Sequence, residues 1–327
     1  MTQSDLIEDR IWIDGCFDFF HHGHANAILQ AKQLGSELYI GIHSDEEITL
    51  NKGPTVMNLK EREFTIDSNK WTTKTIINAP YVTQPEWMNK YQCKYVVHGD
   101  DITTDSDGND CYGIVRDEGR LKLVKRTEGV STTDLINRLL LPTDKHYIKD
   151  IQSMLKEFKN LIRDFATDID GKTLYNNVWY LDQGDLKSLF QKKDWPANQE
   201  YIYIEGSFDL FNPYHISVLK ELKSKGYKLL VGIYSDGIEN TSMDLIQRSL
   251  CVLQSKFIDD VIIGVSINQN LSNFNILEKY KVDEGFSNEF DYLNHRGISK
   301  RIQNHYDLYI ERQRKKGVKH EFEKNMS

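Results

Sequence analysis

Cysteine is scarce in this chain. Its 327 residues hold four, Cys16, Cys93, Cys111 and Cys251, and none of them stands at a CxxC or similar spacing. They read as free, mostly buried thiols in a reducing compartment, not as a disulfide framework or a zinc site. Long apolar runs are missing too: none approaches the roughly 18 residues of a membrane-spanning helix, and no apolar segment leads into a cleavage-like site near the start. The expected location is therefore the cytoplasm. Positive charge is not in excess, since 41 Lys and Arg against 49 Asp and Glu leave a formal net charge of -8. That balance gives no support to nucleic-acid binding. Neither of the two stretches that read as opening strands is followed by GxGxxG, which argues against a dinucleotide-binding protein.

What remains is an ordinary globular composition, 39% hydrophobic and 28% charged, in a chain long enough for two domains. The organising stretch is IWIDGCFDFFHHGH, residues 11–24. It reads as a buried strand, a glycine-permitted turn and a helix start. Unpaired amide N–H groups and the helix dipole make such a junction an anion site. His21 and His24, three residues apart, lie on one side of that helix, and Gly23 between them lets a phosphate approach the backbone. Imidazoles at this place can donate hydrogen bonds to a polyphosphate as charge moves onto its leaving group.

Further along, a helix is expected near 25–34 and a strand at 38–45, then a flexible basic loop NKGPTV at 51–56. A helix near 58–70, short strands around 75–77 and 95–97, a strand-like pair Tyr81-Val82, and short helices near 86–91 and 112–118 follow. A capped helix starting at Ser131 or Thr132 closes the first half. Asp105, Asp107 and Asp110 in TTDSDGND lack the closing acid of a calcium loop and read as a polar loop. The opening unit then returns: at a fixed offset of 191, 14 of the 35 positions from Ile11 to Asp45 are identical in 202–236. This is a duplication at domain scale.

IDGCFDFFHHGH and KRTEGVSTTDLINRLL, in that order, resemble the two signatures of the cytidylyltransferases, a family within the HxGH nucleotidyltransferase superfamily. HGDD at His98–Asp101, LNKGP around Lys52 and APYVT at 79–83 add to the resemblance. It implies an α/β fold with two tandem Rossmann-like nucleotidyltransferase domains, each a mostly parallel sheet flanked by helices. It also implies transfer of the cytidylyl group of CTP to a phosphoalcohol with release of pyrophosphate. The tandem layout, covering nearly the whole chain, is similar to the branch that uses phosphoethanolamine. The choline-phosphate and glycerol-3-phosphate branches resemble only one such domain. A phosphocholine substrate, and a non-catalytic nucleotide-binding scaffold, are the alternatives.

By the same resemblance His21, His24, Lys52 and Arg126 are the catalytic residues, stabilising the transition state and neutralising phosphate charge. Arg126, with Ser131, Thr132 and Thr133 at the second helix start, would hold the β- and γ-phosphates. Gly15, Cys16, Phe17, Asp18, Gly23, His98, Gly99, Asp100, Thr127, Gly129 and Val130 would line the nucleotide and substrate. Trp71 would stand near the phosphoalcohol pocket, with core packing as its alternative. Mg2+ is expected to travel with CTP, and no residue set suggests a metal site of the protein's own.

The second copy departs from the first. Asn212, Pro213 and Tyr214 replace His21, His22 and Gly23, and only His215 keeps the place of His24. No KGP follows Asp236. Glu284-Gly285 is read opposite His98-Gly99, and Arg296–Arg301 as a truncated second signature. The expected organisation is a catalytic domain at 8–145, a partly helical connector at 146–198, a degenerate domain at 199–310 and a basic, polar tail at 311–327. The two domains are expected to form an intramolecular pseudo-dimer. The basic run 311–317 reads as a solvated helix end, with peripheral contact to an acidic membrane such as the endoplasmic reticulum as the alternative.

Overall fold

The computed structural model describes residues 5–101, 103–192, 196, 198–309 and 311. The expected tail, apart from Glu311, lies outside them. The first half alternates strand and helix: β1 (Ile7–Gly15), α1 (His22–Gln33), β2 (Glu37–Ile42), α2 (Asp45–Lys52), α3 (Leu59–Ser68), β3 (Lys74–Ile77), α4 (Pro85–Lys90), β4 (Cys93–Gly99), α5 (Gly113–Asp117), β5 (Leu121–Val124) and α6 (Thr132–Leu140). Its five strands are all parallel, in the order β3-β2-β1-β4-β5. The chain turns outward in opposite directions from β1 and β4, and a sheet of this kind opens a crevice at the carboxyl ends of those two strands.

The second half follows α7 (Ile151–Phe165). It comprises β6 (Asn177–Asp182), β7 (Asp185–Phe190), β8 (Glu200–Gly206), α8 (Pro213–Lys223), β9 (Lys228–Tyr234), α9 (Leu245–Leu253), β10 (Asp260–Val265), β11 (Asn275–Lys281) and α10 (His295–Asn304). The six strands run β11-β8-β9-β10-β6-β7, with β7 antiparallel to its neighbour. Residues 177–190, inside the stretch read as a connector, thus supply a hairpin to this sheet. Its two-residue turn, Gln183-Gly184, has positive φ at both positions, the geometry that matches strand twist.

Parallel strands buried on both faces should be apolar without alternation, and they are: Ile11, Trp12, Ile13, Ile202, Tyr203 and Ile204 are all buried. The halves meet through helices. α1 packs against α9, α3 against α8, and α6 against α10. Asn69 and Ser255 form a two-residue antiparallel bridge between the halves. Among the described residues no helix is long and apolar enough to cross a membrane.

Two local expectations change. NKGPTV is not a loop throughout: Asn51 and Lys52 are the last turn of α2, which Gly53 ends at φ 97°. Tyr81-Val82 lies outside any strand.

Candidate active site

The turn from β1 into α1 places two phenylalanines, Phe17 and Phe19, at φ 48° and 51°. Left-handed backbone in such residues costs on the order of 1–3 kcal/mol each, and here burial of both rings holds it. Phe208 and Leu210, at the same offset in the second half, repeat it at 52° and 49°. The strain therefore belongs to the shared turn. The turn delivers His21 as the N-cap of α1, and its Nδ1 accepts the Gly23 N–H at 3.1 Å. His24 stacks on His21 with 3.9 Å between ring centroids. Burial drives the His21 imidazole well below its ordinary range, helped by the neighbouring histidines and Arg126. His24 is pushed down to about 3 by burial and then by the Lys52 ammonium, with His22 and Arg126 adding to it. Both rings are neutral at pH 7. His24 Nδ1 is buried without a hydrogen-bond partner, a polar atom that a bound ligand could satisfy.

Gly23 is tighter than phosphate approach alone requires. A Cβ there would stand 2.9 Å from both His21 Nδ1 and Val130 Cγ1. Its smallness lets the second signature loop close on the start of α1. Other bonds hold that loop to the same helix: Asn26 donates to the Thr127 hydroxyl at 2.9 Å, and Gln30 brackets Lys125 through its N–H and carbonyl. The loop borders an open cleft of about 430 Å³ lined by Asp100, Lys125, Arg126, Thr127, Gly129, Val130 and Ser131, with Glu128 and Asp134. Ser131 caps α6, and the Thr132 hydroxyl donates to the Asp18 carbonyl. These two hydroxyls are engaged by the fold. Arg126 forms an ion pair with Asp101 at 2.9 Å, and its N–H donates to Asp100. The Asp100–Asp101 pair thus sets the Arg126 fork beside the cleft.

Lys52 ends α2 with its ammonium over the Tyr81 ring, 5.6 Å from the centroid. Burial lowers His43 and His98, and the Lys52 charge adds a smaller push in the same direction. His98 sits at the end of β4, hydrogen-bonded to the Gly99 carbonyl and packed against Tyr112 at 4.2 Å. The structure therefore gathers His21, His24, Lys52, Arg126, His98 and Asp100 at the carboxyl ends of β1, β2, β4 and β5.

Two expected residues do other work. Asp18 is buried and takes the N–H groups of Val56 (3.0 Å) and Met57 (2.8 Å). It anchors the segment after Lys52. Trp71 precedes β3, at the amino ends of the strands and so at the opposite end of the sheet from His21. It is buried edge-on against Phe165 and donates to the Asp168 carbonyl. It is a core residue. Cys16 and Gly15 belong to the turn itself: the Cys16 carbonyl accepts from Arg62, and a Cβ on Gly15 would crowd the Phe17 ring.

Sequence reasoning missed Arg62. Its guanidinium is buried and donates to the carbonyls of Cys16, His43 and Met57 and to Asp45. Arg248 repeats every bond, to Ser207, Tyr234, Met243 and Asp236. The offset is 191 up to Asp45 and Asp236 but 186 at Met57 and Met243. The first half is thus five residues longer between these points, where it carries α2 and Lys52. It also missed Asp14, buried under Trp12, Thr83 and Tyr112, all three donating to its carboxylate. An acid inside an apolar strand, matched by Glu205 in the repeat, was the available signal.

In the second half Tyr214 donates its hydroxyl to the Val282 carbonyl at 3.1 Å. Sheet register places Lys281 and Val282, not Glu284 and Gly285, opposite His98 and Gly99: Ile13 pairs with Val97 and Ile204 with Tyr280. Arg296 and Gly297 lie within the first turn of α10, capped by Asn294, and form no signature loop.

A family model described as Cytidylyltransferase-like matches residues 12–138. A Saccharomyces cerevisiae protein named ethanolamine-phosphate cytidylyltransferase is 40% identical over 331 residues, 96% of this chain and 98% of its own length. A Schizosaccharomyces pombe protein named probable ethanolamine-phosphate cytidylyltransferase is 45% identical, covering 81% of this chain and 74% of itself. The chain belongs to the ethanolamine-phosphate cytidylyltransferase family. By contrast, an Arabidopsis thaliana protein named choline-phosphate cytidylyltransferase 2 is 38% identical over 43% of the chain. The two yeast relatives cover 96% and 81% of the chain and so extend into the second half as well.

Proposed function

We propose that this enzyme transfers the cytidylyl group of CTP to phosphoethanolamine, giving CDP-ethanolamine and pyrophosphate for phosphatidylethanolamine biosynthesis. The observation that carries the reading is the match to the yeast protein across 96% of the chain. A phosphate oxygen of phosphoethanolamine is already an anionic nucleophile. It attacks the α-phosphorus of CTP, a new P–O bond forms in line, and the bond to the β-phosphate oxygen breaks with pyrophosphate leaving. No covalent protein intermediate or strong general base is required, so catalysis is positioning and charge neutralisation.

Neutral His21 and His24 donate to the phosphate oxygens at the start of α1. Lys52 and Arg126 supply positive charge from either side. The N–H groups of Gly129–Thr133, at the start of α6, receive the outer phosphates. Mg2+ enters as part of the nucleotide substrate. Of the aromatic residues that could sense the alcohol end, Tyr81 stands beside Lys52, whereas Trp87 and Trp71 pack elsewhere.

We assign the second half a supporting role, with the halves related as a pseudo-dimer. The helix pairings support this: α1 with α9 and α8 with α3 are the same contact seen from either half, and α6 meets its own counterpart α10. The reading carries a cytoplasmic location, with contact to the endoplasmic reticulum no more than peripheral. A product assay tests the function: purified protein with CTP or ATP and, side by side, phosphoethanolamine, phosphocholine and glycerol 3-phosphate. CDP-ethanolamine is the expected main product. Its absence, or preference for phosphocholine, overturns the reading.

A further inference from the structure

Arg301, in the half that has lost the histidine pair, reaches across to the half that keeps it. From α10 its guanidinium donates to the Val56 carbonyl at 3.0 Å and forks onto the Glu61 carboxylate at 2.7 and 2.8 Å. Glu61 is 1% exposed and belongs to the capping box that starts α3. Val56 and Met57 are the same residues whose N–H groups Asp18 holds, and Arg62 takes the Met57 carbonyl. Only Gly53, Pro54 and Thr55 separate this anchored pair from Lys52, and the space around the Gly53 Cα is open. The setting of Lys52 over Tyr81 and near His24 thus depends on where Val56 is held.

The bond has a mirror. Arg138 in α6 donates to the Ser242 carbonyl at 3.1 Å and to Gln247 at 2.9 Å. Ser242 and Gln247 are the counterparts of Val56 and Glu61 at the offset of 186. Arg138 and Arg301 each stand seven residues after the cap of their helix, Ser131 and Asn294. Both halves therefore clasp each other's loop, but the first half's loop leads back to a lysine whose charge reaches His24. The structure assigns Arg301 as a positioning residue for the reaction: the second half holds the Lys52 segment of the first. This rests on the proposed role of Lys52.

The test is a double-mutant cycle on the full chain. Glu61→Gln gives the first half the neutral amide that the second half already uses, so removing Arg301 in that background leaves no buried carboxylate unpaired. Steady-state kinetics with CTP and phosphoethanolamine are compared for E61Q and E61Q/R301A, each with Lys52 intact and with Lys52→Ala. Adding R301A is expected to lower kcat about tenfold when Lys52 is present, with KM for CTP rising less than about threefold. With Lys52 removed the same change should cost less than about twofold, because nothing remains to misplace. Equal fold losses in both backgrounds, or no loss in either, overturn the assignment. Turnover of E61Q/K52A equal to that of E61Q overturns instead the role of Lys52 on which it stands.

Discussion

His21 and His24 lie face to face, their imidazoles 3.9 Å apart between centroids and inclined by 17°. Two cations would not stack so, and burial with mutual repulsion keeps both rings neutral. Because His21 Nδ1 accepts the Gly23 N–H, its own proton belongs on Nε2. That tautomer makes His21 a donor on the side away from the helix backbone. In the second half His215 Nδ1 accepts from Asn212 N–H instead, and no imidazole stands at the place of His21.

His24→Ala is therefore expected to lower kcat by about 10²–10³, the usual loss for one donor used in a transition state. His215→Ala should leave kcat within about threefold, since the half it sits in is not asked to bind a triphosphate there. Steady-state rates of CDP-ethanolamine formation decide this. Comparable losses from both would end the division of labour between the halves.

Much of this was legible in the sequence because the duplication reports on itself. The strand–turn–helix of 11–24 and its copy fixed both opening units, and the replaced histidines marked which half had lost its donors. The connector's strands were not legible because DQGD lacks the Asn-Gly or Asp-Gly pair that signals a hairpin. The places of Asp18 and Trp71 stayed open between two readings for a physical reason. A carboxylate and an indole look alike in sequence whether they meet a ligand or a buried backbone amide. Arg62 was invisible because a buried arginine with three backbone carbonyls and one acid has no local spacing. Only the comparison with Arg248 in three dimensions exposes it.

Arg62 and Arg248 give different outcomes on truncation. Arg248 pairs with Asp236, whose side chain is 1% exposed, whereas Asp45 beside Arg62 is 36% exposed. Arg248→Leu leaves the buried Asp236 carboxylate with the N–H groups of Ile148 and Leu245 but no counter-charge, and is expected to cost roughly 3–5 kcal/mol. Arg62→Leu should cost less, because water can reach Asp45, yet should lower turnover more, because the carbonyls of Cys16 and Met57 flank the histidine turn and the Lys52 segment. Urea denaturation and kcat measured on the same two proteins separate the effects. The opposite ordering in either would refute the argument.

Acid stability follows from two histidines outside the proposed chemistry. Burial pushes His22 and His215 down to about 4 from an ordinary value of 6.5. Each is neutral in the fold and charged in the unfolded chain below pH 6.5, so the unfolded state binds the extra proton. Their contribution is full above pH 6.5 and is lost as pH falls toward 4, by about 1.4 kcal/mol per pH unit for each histidine. His22→Gln should flatten the fall in unfolding free energy across that window by about one proton's worth. An unchanged slope in the variant would show that His22 does not titrate this way.

The glycine between the two site histidines offers the sharpest separation of fold from function. Gly23 carries no positive φ, and alanine is favoured over glycine inside a helix by about 1 kcal/mol, so Gly23→Ala should not weaken α1. The added methyl nonetheless meets His21 Nδ1 and Val130 Cγ1 at 2.9 Å, and both belong to the phosphate cradle. One or both must shift by a few tenths of an ångström, which moves the His21 donor and parts the second signature loop from α1. Turnover is expected to fall roughly 10–100-fold, as small misplacements of a donor do, while the gain in helix propensity offsets part of the overpacking and keeps the drop in melting temperature small. At the matching place in the second half, Tyr214 escapes the same crowding by turning out to the Val282 carbonyl beside a smaller cap, Asn212. Tyr214→Gly should accordingly lower the melting temperature and leave turnover intact. Full turnover in G23A would mean that the cradle tolerates a looser fit than the contacts at Gly23 imply.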